Sequence, residues 1–544
     1  MDKRPLRLAL LLDSCQVPAW AYHALERVVL SGCGNVVAVA ASDSQDKRTS
    51  ALRALWQGRS RLLYHAFDAL DRRLFCREPD ALRPMDVRKL FPGVPVHRLA
   101  ALRWRHEGQL AAADVAWIGE QRLDILLALG AEVPRGDVLQ AATYGIWLYD
   151  WGSRETGPPG LWEVVRGRPE TTAALCMLGG QRHDRRELCR VSCSTFPYSP
   201  ARNRQNCLWA ASSFLPRQIE RLHRLGADEF FLKTTGLGQT PELDSHWLRG
   251  APSDGATLRL AARLCARNLV ELGRRAVYLD QWYLLFHLAE GRPTPLVPPK
   301  DRFWADPHVI RTGDTYHVFL EEYLYNAGKG RISVMQIDDR GTVTGPTPVL
   351  EEEHHLSYPS VFSWEGRYYM VPESAHRRTI DLYEGIEFPW KWQFRMHLME
   401  NVRAVDSTIF SHQGTWWLFT GIAEHEGAFP QVELFLFFSN ELFTNRWQPH
   451  PMNPIVSDVK RARPAGSVFS QGGRIIRPSQ DCSRRYGYGF DLNEIVALSE
   501  TEYAERPLAS VRPRSHSRAL ATHTYARDGR LTMIDACMRR SRLF

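Results

Sequence analysis

The sequence lacks any stretch near the ~20 apolar residues that a membrane-spanning helix needs, and its early apolar run, Leu8–Leu12, is too short for a signal-peptide core. No small-residue cleavage site follows that run, so the expectation is a cytoplasmic protein without a transmembrane segment. None of the ten cysteines forms a C-x-x-C pair, which excludes the common zinc and dithiol redox motifs; Cys189 and Cys193 read as structural thiols, and no metal is expected. No block of six or more Lys or Arg interrupts the chain, and the net charge of +8 is spread thinly, so nucleic acid is not an expected partner. An anionic small ligand and peripheral membrane contact stay open. A G-x-G-x-x-G turn is also missing after the first apolar run, where the chain reads Leu12-Asp13-Ser14-Cys15-Gln16-Val17, so a dinucleotide site of that kind is excluded. Aromatics are not scarce: 17 Trp, 18 Tyr and 23 Phe rule out disorder, and 544 residues call for at least two domains.

What is present divides the chain in two. Leu8–Leu12, a helical pattern over Trp20–Leu30 and Val36–Ala41 give strand, helix, strand, and Leu123–Leu129 repeats the apolar run after a short polar segment from Asp114. Strands alternating with helices predict a parallel sheet covered by helices over residues 1–240. Residues 241–275 read as a linker, rich in Gly, Pro, Ser and Asp over Ser245–Ala256, followed by a helix over Ala256–Glu271. Gln281–His287 reads as a strand, and Gly291–Lys300, with four prolines, as a stiff connector.

The stretch Gly145–Ser153, with Gly157-Pro158-Pro159-Gly160-Leu161-Trp162-Glu163 after it, resembles the core of the formyltransferase family. That family uses an Asn-x-His pair and a later Asp to polarise the formyl carbonyl and to manage protons on the attacking amine. The resemblance places Leu148 at the Asn, Asp150 at the His and Asp184 at the Asp. Leucine cannot donate to an oxyanion and an aspartate would repel one; losing one such donor costs roughly 2.7–4 kcal/mol. The resemblance therefore implies a formyltransferase-like shape with a degenerate site, and formyl-tetrahydrofolate is disfavoured as a cofactor.

Residues 276–544 contain a repeat. Ser360–Tyr369, Ser407–Trp417 and Ser467–Ile476 are near copies, with looser ones at Asp306–Tyr316 and Thr522–Thr532. Their turn glycines, Gly313, Gly366, Gly414, Gly473 and Gly529, are 53, 48, 59 and 56 residues apart. Each unit is strand, tight turn, strand, and a period near fifty predicts four-stranded blades, hence an all-β five-bladed propeller. The words Phe303-Trp304-Ala305-Asp306-Pro307, Tyr358-Pro359-Ser360, Met370–Ser374 and Arg477–Ser483 resemble the N-terminal domain of glucosamine inositolphosphorylceramide transferases, itself similar to glycosidase-like propellers. That resemblance implies a carbohydrate-active fold.

Side chains at the start of each repeat face one central funnel. Glycosidic chemistry there needs one carboxylate as base or nucleophile, another as acid, and gains from a third that raises the acid's pKa. Asp306 is the candidate base, Glu373 the acid and Asp406 the tuning partner. Arg463 and Arg477 could fork onto a phosphate or carboxylate, His523, Gln480 and Asp481 could meet sugar hydroxyls, and Trp304 or Tyr358 could stack on a ring. Each also has a reading as local turn or packing residue. The run Glu351–His355 reads as a solvated connector. The expected function is a carbohydrate-active transferase in glycan or glycolipid (cell-surface polysaccharide) biosynthesis, with a carbohydrate or glycolipid substrate and a nucleotide sugar as a fitting donor. One-carbon transfer to an amino sugar and a non-catalytic sugar-binding or assembly module are the alternatives.

Overall fold

The computed structural model describes residues 4–42, 61–99, 109–130, 133–152, 157–179, 186–234, 252–288, 293–513 and 519–542. The chain forms two compact units, Met1–Leu269 and Val270–Phe544, whose border falls within one long helix, Asp254–Val277. That helix extends past both ends of the expected Ala256–Glu271.

The first unit is built on a seven-stranded sheet in the spatial order Val96–Arg98, Gly34–Ala41, Leu6–Leu12, Ile125–Ala128, Ile146–Asp150, Glu170–Leu178, Arg186–Ser194. The first five strands are mutually parallel, and the last two are antiparallel to their neighbours. The expectation of a parallel sheet is thus corrected to a mixed one. A parallel return needs a crossover of a dozen or more residues, and Leu178 and Arg186 stand too close in sequence for that. The polar segment before Leu123 is a helix, Ala112–Glu120, whose Val115 and Ile118 cover the sheet.

The second unit is a five-bladed propeller. Blade I spans Arg302–Leu350, blade II Ser357–Glu400, blade III Ala404–Pro449 and blade IV Phe469–Val511, each an antiparallel four-stranded sheet in sequence order. Blade V is assembled from both ends: Tyr278–Leu288 pairs along its length with Leu531–Ser541, Thr294–Leu296 forms its edge, and Ala519–Ala521 and Tyr525–Asp528 pair on the far side of Leu531–Ser541. The proline-rich connector therefore supplies an edge strand, where missing N–H groups cost least. All five turn glycines have positive φ, from 53° to 81°, a backbone that other residues adopt reluctantly. Apolar wedges fill the seams: Tyr316, Leu320 and Met533 between V and I, Phe319, Val361 and Met370 between I and II, Val371, Leu382 and Leu418 between II and III, Phe419, Leu436 and Ile495 between III and IV.

Candidate functional site

The innermost strands of blades I, II and III share one irregularity. Their registers slip between Ala305 and His308, Ser357 and Ser360, and Val405 and Thr408. At each slip stands a residue with left-handed backbone: Asp306 (φ 51°), Tyr358 (φ 42°) and Asp406 (φ 51°). A bulge breaks the in–out alternation and re-aims one side chain, and left-handed non-glycine residues at such places store about 1–3 kcal/mol of strain. All three side chains are buried and reach other blades. The Tyr358 hydroxyl from blade II meets Thr408 Oγ1 of blade III at 2.9 Å and accepts from Gly466 N at 2.8 Å on the approach to blade IV.

Asp406 and Glu373 form one half of the axial centre. Arg463 grips Asp406 with two nitrogens, Nε on Oδ2 and Nη2 on Oδ1, the latter at 3.1 Å, and its Nη2 also lies 3.4 Å from Glu373 Oε2. Gln480 Nε2 donates to Asp406 Oδ2 at 2.9 Å, and the Asp406 backbone N–H donates to Glu373 Oε2 at 3.3 Å. Burial, then the charge of Asp406, pushes the Glu373 carboxyl well above the ordinary glutamate range despite Arg463. The Arg463 guanidinium lies over the Tyr486 ring, 5.0 Å from Cζ to the ring centre.

Asp306 belongs to the other half. Its Oδ1 accepts from Thr524 Oγ1 at 2.9 Å and lies 3.2 Å from His523 Nε2, while His523 Nδ1 lies 2.8 Å from Asp535 Oδ2. That last contact is off the line of a hydrogen bond and acts by charge. Asp535 is fully buried, and its Oδ1 accepts the backbone N–H groups of His523 and Thr524 at 2.8 and 3.0 Å. Burial disfavours a charged His523, but Asp535 and Asp306 override it and push the imidazole up to about 10. Burial likewise works against ionised Asp306, and His523 overrides it, drawing the carboxyl down to about 2. The ligand atoms of Asp306, His523 and Asp535 fall within 4.8 Å of one another and could hold a cation. Both ring nitrogens already face carboxylates, so the imidazolium itself fills that electrostatic role.

Sequence reasoning missed Glu321 and Asp535. Glu321 faces Ala305, just before the blade I bulge, as Glu373 faces Ser357 before the blade II bulge. Burial, then Asp306, Glu373 and Asp406, keeps its carboxyl well above the ordinary range. Its signal was available: Glu321 lies eight residues past the turn glycine Gly313, where Glu373 lies seven past Gly366. Asp535 has no acidic counterpart in the other repeats. His355, read as part of a solvated connector, is turned inward: its Nδ1 accepts from Gly330 N at 2.8 Å and its Nε2 lies 3.6 Å from Glu321. Glu351 of the same run does pair on the outside with Arg331 and Lys329.

Of the residues singled out from sequence, Asp306, Glu373, Asp406, Arg463, Gln480, His523 and Tyr358 come together here, although Tyr358 is wholly buried and offers no open ring face. Three others lie elsewhere. Trp304 packs in the wedge between blades V and I. Arg477 is bidentate on Glu505, both contacts at 2.8 Å, and Asp481 pairs with Arg512 at 2.9 Å. In the first unit Leu148 is part of the sheet core, and the Asp150 carboxylate accepts its own turn's Gly152 N at 2.9 Å; Asp184 lies outside the described residues.

Residues 297–533 match the family model described as glucosamine inositolphosphorylceramide transferase 1, N-terminal. The chain is 34% identical over 209 residues to glucosamine inositolphosphorylceramide transferase 1 of Oryza sativa subsp. japonica, covering 38% of this chain and 28% of that protein. It is also 34% identical over 206 residues to the Arabidopsis thaliana protein of the same name, covering 37% and 27%. The match thus spans less than a third of these relatives. Among solved structures, a family 117 glycoside hydrolase of Zobellia galactanivorans overlaps 48% of this chain and 91% of its own, at 10% identity and a TM-score of 0.33, too low to bear on function. The propeller of this chain is similar to the N-terminal domain of the glucosamine inositolphosphorylceramide transferases.

Proposed function

We propose that the protein is a carbohydrate-active enzyme of glycan or glycolipid assembly that transfers a glycosyl group at the propeller axis. The observation that carries this reading is the divergence of two buried carboxyls: burial and Asp406 push Glu373 well above the ordinary range, while His523 and Thr524 draw Asp306 down to about 2. Environments that drive neighbouring carboxyls apart assign an acid and a fixed anion. Glu373 gives its proton to the departing oxygen as the bond to the sugar breaks, and the Glu373 carboxylate so formed takes the proton of the acceptor hydroxyl that replaces it. Asp406 raises the Glu373 carboxyl and so favours its proton-bearing form beforehand. Asp306, tied to an imidazolium, is too weak a base at neutral pH for the role its sequence position suggested; its fixed charge suits the positive charge that develops on the sugar ring. The relatives' name supplies the substrate class, an amino sugar and an inositol-phosphate sphingolipid, and a lipid-linked acceptor is the corresponding proposal here. The N-terminal unit then serves as a formyltransferase-like scaffold, since Leu148 and Asp150 offer no oxyanion donor.

A second reading, a sugar-binding module without turnover, is favoured by one fact: Arg463 and Gln480 occupy Asp406, and Thr524 and His523 occupy Asp306. One experiment separates the two. Thermal shifts are measured with nucleotide sugars, inositol phosphates, oligosaccharides and folates, and the ligand that shifts is then assayed for turnover with wild type and Glu373→Gln. A ligand at 100 times its Kd adds about 2.7 kcal/mol. The enzyme reading expects a sugar ligand whose turnover falls more than about a hundredfold in Glu373→Gln, in line with the loss of a general acid, with the shift retained. A shift with no turnover in wild type leaves the binding module, and a shift with folate alone returns the function to the N-terminal unit.

A further inference from the structure

Two helices, Leu62–Phe75 and Asp254–Val277, bury Tyr64, Leu260 and Leu264 in one apolar cluster with Leu161 and Val164, and the Asp254 carboxylate accepts from Leu63 N at 3.0 Å. Their outer faces are apolar. Leu63, Leu70 and Leu74 on the first helix and Leu258, Leu269 and Leu272 on the second are each 42–68% exposed. On the second helix the exposed residues Leu258, Ala262, Cys265, Leu269, Leu272 and Ala276 follow one another at alternating steps of four and three, a straight stripe about 27 Å long at 1.5 Å per residue. A monomer seldom leaves so many large aliphatic side chains in water on adjoining elements.

The charges beside this face all have one sign. Every charged residue classed as exposed on the two helices is an arginine: Arg73, Arg259, Arg263 and Arg275. The acidic residues of the same helices are turned inward or engaged. Asp68 pairs with Arg204, Asp71 accepts from Ser199 and Ala201, and Glu271 is held by Arg274 and Arg275. With Arg275 engaged by Glu271, the apolar stripe bordered by Arg73, Arg259 and Arg263 is complementary to a surface that is apolar beneath and anionic on top, which is the interface of an anionic bilayer. A second copy of the chain would fit the spacing of the stripe, but it would bring arginine borders against arginine borders.

We propose that these two helices are a docking face for anionic lipid membranes. The inference stands on the exposed leucines and arginines and does not depend on the axial carboxylates; joined to the proposed function, it would hold the enzyme at the surface where a lipid-linked acceptor lies. The test is sedimentation of the full chain with vesicles of phosphatidylcholine alone and of phosphatidylcholine mixed with phosphatidylglycerol. The expected result is at least tenfold stronger binding to the mixed vesicles, weakened by salt. Leu269→Glu with Leu272→Glu should abolish it, and Arg259→Gln with Arg263→Gln should lower it by roughly fivefold per arginine. Thermal melts of both variants should match wild type, because the replaced side chains are exposed. Binding that is absent, that ignores phosphatidylglycerol, or that survives the leucine changes overturns the proposal, and so does a wild-type dimer that the leucine changes dissociate without any vesicle binding.

Discussion

His523 carries its positive charge inside the protein because Asp306 and Asp535 flank its two ring nitrogens; burial alone would strip the proton away. That arrangement ties stability to pH with a definite sign. The folded imidazole titrates at about 10 against 6.5 for the free side chain, so its contribution is complete below pH 6.5 and is lost as the pH climbs toward 10. Asp306, drawn from 3.8 to about 2, contributes above pH 3.8 and loses that contribution as the pH falls toward 2. The pair is therefore whole between these limits, from about pH 4 to 6.5. Denaturant melts of wild type and His523→Asn over a pH series should show their difference in unfolding free energy shrinking above pH 6.5, by at most about 1.4 kcal/mol per pH unit. Parallel curves across that range would mean that the imidazole is buried neutral, and Asp306 would then lose the partner that keeps it ionised.

The bulged inner strand is the element that builds the site, and Tyr358 shows how it is held. In blades I and III the left-handed position carries an aspartate, a residue that tolerates such φ values; in blade II it carries a tyrosine, a costlier choice. What offsets the cost is the hydroxyl, which takes the Gly466 N–H at 2.8 Å and meets Thr408 at 2.9 Å. Tyr358→Phe keeps the ring and orphans a buried N–H, so it should destabilise the protein by about 1–3 kcal/mol, read as a lower melting temperature. No change on melting would mean that water reaches Gly466 and that the position is open enough to meet a ligand. The same element explains what could be read beforehand. Turn glycines at near-equal spacing reveal the blades, because each hairpin needs a positive φ and glycine marks it. The repeats brought Asp306, Glu373 and Asp406 forward for the same reason. Asp535 escaped because it lies six residues past Gly529, where the other repeats carry Phe319, Pro372, Thr420 and Ser479, and Glu321 because its copy relation to Glu373 appears only once the strands are aligned on their turns. Trp304 and Arg477 misled because an aromatic or an arginine in a blade is as useful in a wedge as in a funnel, and their spacing is the same for both.

At the scale of the whole chain, the propeller is closed by two segments some 250 residues apart, as strand Tyr278–Leu288 lies against Leu531–Ser541 from end to end. A ring of blades has two edges until that pairing forms, and each edge leaves a row of unpaired backbone groups. Closure also completes the candidate site, since Asp535 comes from the last strand and His523 from the segment just before it, while Asp306 comes from blade I. The wedge of Leu284, Phe286, Leu531 and Met533 with Tyr316 and Leu320 of blade I buries apolar area that no other blade can cover. Loss of the last strand should therefore cost the fold of the entire propeller, not of one blade. A chain ending at Gly529 should fail to give a cooperative thermal transition for the propeller, whereas a chain beginning at Val270 should retain one, because its blades and their closure are all internal to it. Circular dichroism melts of the two truncations decide the matter. If the chain ending at Gly529 melts cooperatively with strand content near that of the longer one, the blades stand without closure, and the union of Asp306, His523 and Asp535 is a consequence of packing rather than its condition.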